Sequence, residues 1–160
     1  MAVSYLPSGY HSLTPSVVVD DANKAMDFYK NAFGAKETYR LPMGDKVAHA
    51  EMDIDGSRFM LSDEFPEWGA LSPKSRGGAT GGMLIYVKDA DAAIDKAVKA
   101  GATVVQPPED QFWGDRMGTV TDPFGHKWTL GTHQEDVSPE DLASRMKEWA
   151  KAQQAQAHVT

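Results

Sequence analysis

The sequence predicts an α+β protein of two tandem β-α-β-β-β modules, which form a curved mixed sheet around a cleft, with an added C-terminal amphipathic helix. Three observations predict this fold: an internal repeat, a strand followed by a capped helix in each copy, and a late helix-capping sequence. A chain of 160 residues suits one domain with a single core. We place that domain at 12–133, with module one at 12–66 and module two at 81–133, and the C-terminal helix at 138–152.

The repeat is visible without any alignment. Residues 19–27 (VDDANKAMD) return as residues 87–95 (VKDADAAID), an offset of 68 (87 − 19). A later echo links residues 56–61 (GSRFML) with residues 125–130 (GHKWTL). Self-similarity at a nearly constant spacing indicates two copies of one supersecondary unit. Two like modules placed side by side make a cleft between them, and clefts bind small ligands.

Each predicted element has its own local signal. The first strand of each module is short, apolar and partly β-branched, an aspartate follows as the helix N-cap, and Gly34 or Gly101 ends the helix. Ser138 opens a capping box, after which Leu142, Met146 and Trp149 share one helix face. The strands are predicted at 14–20, 37–40, 47–53 and 58–63, then at 83–87, 103–106, 117–122 and 126–131, with long loops at 64–81 and 107–114.

Composition excludes several classes of protein. The chain has no cysteine, which rules out a disulfide framework, thiolate metal sites and a cysteine nucleophile. Its net charge of −7, without a basic stripe, argues against nucleic acid as a partner. No stretch approaches the ~20 apolar residues of a membrane span. The opening residues lack a basic region followed by an apolar run, so we expect no leader. We expect a cytoplasmic protein that contacts neither membrane nor nucleic acid.

The doubled pattern carries a family resemblance. Strand, aspartate, helix and glycine occur twice, and Asp122-Pro123-Phe124-Gly125-His126 precedes the last strand. This arrangement resembles the vicinal oxygen chelate superfamily, which includes glyoxalase I, bleomycin-binding resistance proteins, fosfomycin resistance enzymes and extradiol dioxygenases. Within it, the segments 49–51 (HAE), 60–64 (MLSDE) and 111–114 (QFWG) look most like the PhnB-like glyoxalase-related branch.

The resemblance implies where a catalytic metal would be held. Metal-dependent members take a ligand from the first strand of each module and a glutamate from the last. Those positions correspond here to Thr14, Gly82, Met60 and Thr129. A hard divalent ion prefers carboxylate or imidazole ligands, and none of these four residues supplies one. We therefore predict neither a metal nor another cofactor, and a glyoxalase I mechanism is disfavoured.

His49 and Glu51 are the candidate catalytic residues. Strand alternation predicts that Val47, His49 and Glu51 face away from the helix, into the cleft. Two such side chains can form a proton-transfer pair or an unconventional metal site. The alternative is a hydrogen-bonded polar pair at a strand edge.

Seven further residues are candidate ligand contacts: Thr14, Arg58, Tyr86, Phe112, Trp113, Lys127 and Thr129. Arg58 and Lys127 occupy matched positions in the two modules and can hold an anion, the alternative being that both are solvated. The aromatic pair at 112–113 either stacks on a flat ligand or anchors its loop. Tyr86 either donates a hydrogen bond or packs.

Other polar residues have less functional promise. We expect Asp115 and Arg116 to form an ion pair that orders their loop. The remaining histidines, at positions 11, 126, 133 and 158, are poor candidates for ligands.

Three functions remain open on these observations. The first is a glyoxalase-related protein, a binder or a metal-independent enzyme, whose cleft takes an apolar or aromatic small molecule with a polar or anionic group. The second is a metal-dependent lyase, isomerase or dioxygenase that uses His49 and Glu51. The third is a sequestering protein of the bleomycin-resistance kind. In each case we expect a homodimer, with the C-terminal helix bracing the interface.

Overall fold

The computed structural model of the protein describes residues 3–157. The candidate His158 lies outside the described residues. Within them the strands are β1 Ser16–Val19, β2 Lys36–Met43, β3 Lys46–Ile54, β4 Ser57–Asp63, β5 Gly82–Tyr86, β6 Thr103–Asp110, β7 Asp115–Thr121 and β8 Lys127–His133. The helices are α1 Ala22–Phe33, α2 Pro73–Arg76, α3 Ala90–Ala100 and α4 Pro139–Ala157, with a short 3-10 turn at Pro66–Trp68.

Each module forms a four-stranded mixed sheet. The strand orders are β1-β4-β3-β2 and β5-β8-β7-β6, so the second sheet repeats the topology of the first. In both sheets the first and last strands of the module pair in parallel and the other pairs are antiparallel. Ser16 lies beside Met60 in one sheet, and Leu84 lies beside Thr129 in the other. The predicted tandem β-α-β-β-β fold is confirmed.

The predicted aspartate N-caps and glycine ends are present in the helices of both modules. The Asp21 carboxylate accepts a hydrogen bond from the backbone N–H of Lys24, and Asp89 does the same for Ala92. These caps satisfy backbone donors that a helix start leaves unpaired. Gly34 ends α1 with φ of 70°, a left-handed conformation that favours glycine.

The two modules share one core. Helices α1 and α3 pack against each other, and the helix-facing sides of both sheets close over them. The Tyr29 ring lies 5.5 Å from the ring of Phe59 in its own module and 5.2 Å from that of Trp128 in the other. Because buried aromatic rings dominate core energetics, neither module is stabilised independently of its neighbour.

A buried carboxylate joins the modules at this point. Asp122 Oδ2 accepts hydrogen bonds from the Tyr29 hydroxyl and from Trp128 Nε1, both at 2.9 Å. Its Oδ1 accepts the backbone N–H groups of Phe124 and His126. Four donors therefore converge on one side chain that is 4% exposed. Burial without such partners would be unfavourable.

Two local predictions are wrong. Val47 is buried in the core rather than facing the cleft, because β3 has a bulge at this point: Leu41 pairs with His49 but Pro42 pairs with Val47. Strand β6 runs on to Asp110, through part of the predicted 107–114 loop. An edge strand with irregular pairing tolerates the two prolines there, which have no N–H to donate.

The long loop after β4 is confirmed as the connection between the modules, although it contains the 3-10 turn and α2. Helix α4 covers the predicted C-terminal segment and extends beyond it. Among residues 3–157, no helix is both long and apolar enough to cross a membrane.

We predict that Asp122→Ala lowers the free energy of unfolding by about 3 kcal/mol or more, because it leaves the Tyr29 hydroxyl and the Trp128 indole N–H buried without an acceptor. Urea denaturation measures the change. The matched control is Asp27→Ala, an exposed position on α1, where we expect a change within about 0.5 kcal/mol. Equal effects of the two substitutions would contradict the role of Asp122.

Candidate functional site

A cavity of about 440 Å³ lies at the junction of the two modules. Arg58 at the start of β4 contributes to one wall and Tyr86 at the end of β5 to the other. The apolar lining between them comes from Phe59, Leu84 and Trp128, and the N-terminal segment adds His11 and Leu13. The structure thus brings two of the predicted ligand contacts, one from each module, to the same cavity.

A first polar group in module one contains both candidate catalytic residues. Arg58 is its member at the cavity; His49 and Glu51 are not among the residues that line the cavity. His49 Nε2 lies 3.2 Å from Glu51 Oε1, and Arg58 Nη1 lies 3.5 Å from Glu51 Oε2. Strand β3 lies between β4 and β2, so the pair is in the interior of the sheet, and its side chains contact each other as the alternative of a hydrogen-bonded polar pair expects. Glu51 is placed beside Met60 of β4 by the strand register.

Tyr10 completes this group. Its ring lies 4.8 Å from the Arg58 guanidinium carbon. Its hydroxyl is buried and makes no well-formed hydrogen bond within the described part of the chain. Even so, the nearby Tyr10 hydroxyl lowers the pKa of Glu51; burial opposes this effect, and His49 and Arg58 reinforce it. Glu51 is therefore ionised near neutral pH, and burial in turn raises the pKa of Tyr10.

The second polar group is in module two and centres on Asp115, which is 4% exposed. Asp115 Oδ2 accepts a hydrogen bond from the Tyr86 hydroxyl at 2.9 Å, and Oδ1 lies 2.7 Å from His133 Nδ1. His133 Nε2 faces Asp136 Oδ1 at 3.0 Å. Asp115 and His133 are direct neighbours across β7 and β8, which is why their side chains meet.

The three titratable side chains of this group influence one another. Burial alone would raise the pKa of Asp115, but contacts from His133, Tyr86 and Trp113 outweigh burial and hold it below its usual value. Hydrogen bonding to Asp115, and then to Asp136, raises the pKa of His133. The bond to Asp115 also raises the pKa of Tyr86. Asp115 is thus a carboxylate and Tyr86 a neutral phenol near neutral pH.

The expected ion pair between Asp115 and Arg116 is wrong. Successive strand residues point to opposite faces, so Arg116 turns away from Asp115. Its guanidinium instead contacts Asp91 of α3 at 2.8 Å and Asp110 of β6 at 3.0 Å. These contacts, chiefly the one with Asp91, raise the pKa of Arg116 further above its usual value.

The remaining predicted ligand contacts lie elsewhere. Thr129 Oγ1 is 3.0 Å from Thr119 Oγ1 on the open face of module two. The Thr14 hydroxyl donates to the backbone oxygen of His11, and Lys127 is exposed. Thr14, Lys127 and Thr129 are not among the residues that line the cavity between the modules.

The aromatic pair at 112–113 is joined to the C-terminal helix. The Phe112 ring lies 4.9 Å from that of Trp113 and 5.7 Å from that of Trp149 on α4. Arg145 of α4 donates to the Phe112 backbone oxygen and pairs with Glu135. This geometry favours the alternative in which the pair anchors its loop.

Sequence reasoning missed Tyr10, Asp115 and His133 as members of the polar groups. Tyr10 precedes the predicted start of the domain at residue 12. Asp115 and His133 are separated by 18 residues, and only the β7–β8 register shows that they are opposite each other. Asp115 lies two residues before the predicted strand 117–122 and His133 two residues after the predicted strand 126–131, so their matched distances from the turn were the available signal.

The residues present do not fit the metal site that the family implies. Thr14, Met60, Gly82 and Thr129 offer two hydroxyls, a soft thioether and no fourth side chain, a donor set unsuited to a hard divalent ion. Within residues 3–157, no group of three or more His, Asp or Glu side chains is placed to share a metal ion.

The comparisons with known proteins agree with this fold. Residues 10–130 match the sequence model of the Glyoxalase/Bleomycin resistance protein/Dioxygenase superfamily. An uncharacterized protein of Mycobacterium tuberculosis is 43% identical over 150 residues, which cover 91% of this chain and 86% of the relative. The crystal structure of an Arabidopsis thaliana gene product superposes with a TM-score of 0.62 at 33% identity, covering 76% of this chain and 98% of that one.

These matches define the class of protein: the chain belongs to the glyoxalase/bleomycin resistance protein/dioxygenase superfamily. A more distant neighbour is the fosfomycin resistance protein FosX of Listeria monocytogenes. It superposes with a TM-score of 0.60 at 17% identity and covers 82% of this chain and 97% of that one. At that identity the likeness is one of fold.

We predict that His133→Gln destabilises the protein in a defined pH window. The pKa of His133 is raised, so its contribution is fully present below its ordinary value of 6.5 and is lost as the pH rises through the folded-state pKa. The pKa of Asp115 is lowered, so its contribution is present above about 3.8 and is lost as the pH falls. The loss of unfolding free energy in His133→Gln, relative to wild type, should therefore be largest between pH 3.8 and pH 6.5. Denaturant unfolding across a pH series measures this loss.

The matched control for this experiment is His11→Gln, at an exposed histidine on the N-terminal segment. We expect no such window for this variant. A difference between wild type and His133→Gln that stays constant from pH 4 to pH 9, roughly the range in which both groups titrate, would contradict the ionic contact.

Proposed function

We propose that this protein binds an apolar or aromatic small molecule with an anionic group in the cavity between its modules, without a metal. The supporting observation is the lining of the cavity, in which the Arg58 guanidinium stands at the edge of an apolar surface formed by Phe59, Leu84 and Trp128. Concave, mostly apolar sites with a few polar groups are typical of small-molecule binding. A volume of about 440 Å³ lies within the range of such sites.

Arg58 is the anion-binding group of this proposal. Its contact with Glu51 is long, at 3.5 Å, and the Tyr10 ring packs against it. A guanidinium has five N–H donors, so the one long contact leaves others for a ligand carboxylate or phosphate. Lys127, proposed from the sequence as its counterpart, does not line this cavity, so Arg58 is the one Lys or Arg side chain among the lining residues; Asp55 of the same module also lines it.

A second candidate function is proton transfer on the bound molecule. It requires the bound molecule to extend past Arg58, because His49 and Glu51 do not themselves line the cavity. It is favoured by the His49–Glu51 contact of 3.2 Å and by the ionised state of Glu51, since a general base must be deprotonated. Prolonged incubation separates the candidates: a bound molecule recovered unchanged supports binding alone, as in a sequestering protein, and a changed one supports catalysis.

We also propose a branch of the superfamily and a cellular location for this protein. The segments 49–51, 60–64 and 111–114 support membership of the PhnB-like branch. Absence of cysteine is compatible with a cytoplasmic location, which we also propose.

We predict that Arg58→Met weakens binding of para-hydroxybenzoate at least tenfold, the effect of losing about 1.4 kcal/mol of charge-assisted hydrogen bonding. Binding of the neutral analogue para-hydroxybenzamide should change little. NMR titration measures both affinities, with thermal unfolding as the check on folding. Lys99→Met, at an exposed cation on α3, is the matched control and should bind both probes as wild type does.

Chelator should leave these affinities and the thermal midpoint unchanged, since a bound structural metal would stabilise the folded state. Equal losses for the acid and the amide would contradict an anion contact at Arg58. Loss of binding on chelation would contradict metal independence.

We also propose a homodimer that covers the exposed side of α4. Trp149 and Met146 are each 46% exposed, and Trp113 beside them is 38% exposed. Neighbouring exposed aromatic side chains are typical of an interface. We predict that Met146→Glu shifts the protein from dimer to monomer in sedimentation velocity, whereas Ser144→Glu, at another exposed position of the same helix, does not. A monomeric wild type would contradict the proposal.

A further inference from the structure

The hydrogen bond between Tyr86 and Asp115 determines what Tyr86 offers to a ligand. A phenol has one O–H to donate, and its oxygen also accepts. An ionised carboxylate only accepts, so in the 2.9 Å contact with Asp115 the Tyr86 hydroxyl must be the donor. Its single proton is therefore already committed. The oxygen keeps its accepting capacity, and the side chain is 57% exposed where it lines the cavity.

The commitment is stable because Asp115 is held ionised by groups on both sides. His133 Nδ1 lies 2.7 Å from the second carboxylate oxygen, and Asp115 starts β7 in a buried position. A protonated Asp115 would lose the charge-assisted contact with His133, which is the stronger kind of hydrogen bond. Tyr86 therefore has little opportunity to turn its proton toward the cavity.

The two walls of the cavity consequently offer different polar groups. The module-one wall carries Asp55 and Ser57 beside its cationic donor, Arg58, and the module-two wall carries Tyr86. Arg58, on the module-one wall, is a donor without any acceptor. Tyr86, on the module-two wall, offers only an acceptor. Between them the lining is apolar, with Leu84, Phe59 and Trp128. The Trp128 indole N–H is not available to a ligand, because it donates to Asp122 at 2.9 Å.

We propose that the ligand presents a hydrogen-bond donor, a hydroxyl or an N–H, to the Tyr86 oxygen while its anionic group contacts Arg58. The chemical class is an aromatic acid with a hydroxyl or amino group at the end opposite the carboxylate. This inference rests on the proposed binding function and adds to it the polarity of the second contact.

The test uses pairs of probes that differ only in whether they donate. One pair is para-hydroxybenzoate and para-methoxybenzoate. The second pair is 6-hydroxy-2-naphthoate and 6-methoxy-2-naphthoate, which are longer and span more of the cavity. Wild type should bind the hydroxy member of at least one pair tenfold or more tightly. A bound ligand covers the exposed Tyr86 oxygen and displaces its water, so a ligand that cannot donate leaves this acceptor unpaired.

The decisive variant is Tyr86→Phe, which keeps the ring and removes only the oxygen. It should lose the preference for the hydroxy member while still binding the methoxy member. Tyr5→Phe, at a tyrosine exposed on the N-terminal segment, is the matched control and should keep the preference. Thermal unfolding verifies that Tyr86→Phe is folded, and unchanged binding of the methoxy probe is a second measure of an intact site.

The outcomes separate the two levels of the proposal. Equal affinity for hydroxy and methoxy members in wild type, with binding still dependent on Arg58, overturns the acceptor role of Tyr86 and leaves the proposed function standing. A preference that survives in Tyr86→Phe overturns it as well. No binding of any of the four probes overturns the proposed function and this inference together.

Discussion

The cavity exists because a carboxylate in the core holds the modules in one arrangement. Asp122, at the last turn of module two, accepts hydrogen bonds from the Tyr29 hydroxyl on α1 of module one and from the Trp128 indole N–H of its own module. Around it, the aromatic side chains of both modules form a continuous cluster. The relative positions of β4 and β5, and so of Arg58 and Tyr86, follow from this junction. A buried acceptor with four donors is geometrically demanding, which makes it suited to fixing an orientation.

The two copies of the module use their last strands differently. In module one, β4 ends at Asp63, whose carboxylate accepts backbone N–H groups of Ala22 and Val47 and so fastens the helix start to the sheet. In module two, β8 runs on to His133, which contacts the buried Asp115. Asp63 in module one thus binds backbone N–H groups, whereas Asp115 in module two orients the Tyr86 side chain at the cavity. The two modules share one fold but contribute different polar groups to the site.

Most of the fold could be predicted from the sequence because its signals are local. The repeat, the Asp21 and Asp89 caps, and the glycine stops each act within a few residues, and they gave the elements in the right order. The burial of Val47 could not be predicted, because the bulge that reverses its side chain depends on how β2 pairs with β3.

The site was predictable only in part, for the same reason. His49 and Glu51 are two residues apart on one strand, so their proximity follows from alternation alone. The grouping of Tyr86, Asp115 and His133 requires three strands in register, and Tyr10 packs on Arg58 from the segment that precedes β1. Contacts of this kind depend on tertiary packing and leave no periodic pattern in the sequence, so sequence patterns cannot predict them.

The strand ladders of the two sheets stop at the boundary between β1 and β5, which belong to different sheets. What bridges the modules is side-chain contact, such as the approach of His126 Nε2 to the Val18 backbone oxygen at 2.9 Å. A change in the spacing of the modules therefore breaks no strand pairing, and is opposed instead by the buried contacts of Asp122 and by side-chain packing. The width of the cavity thus depends on bulky groups such as Phe59 and Trp128 rather than on backbone hydrogen bonds.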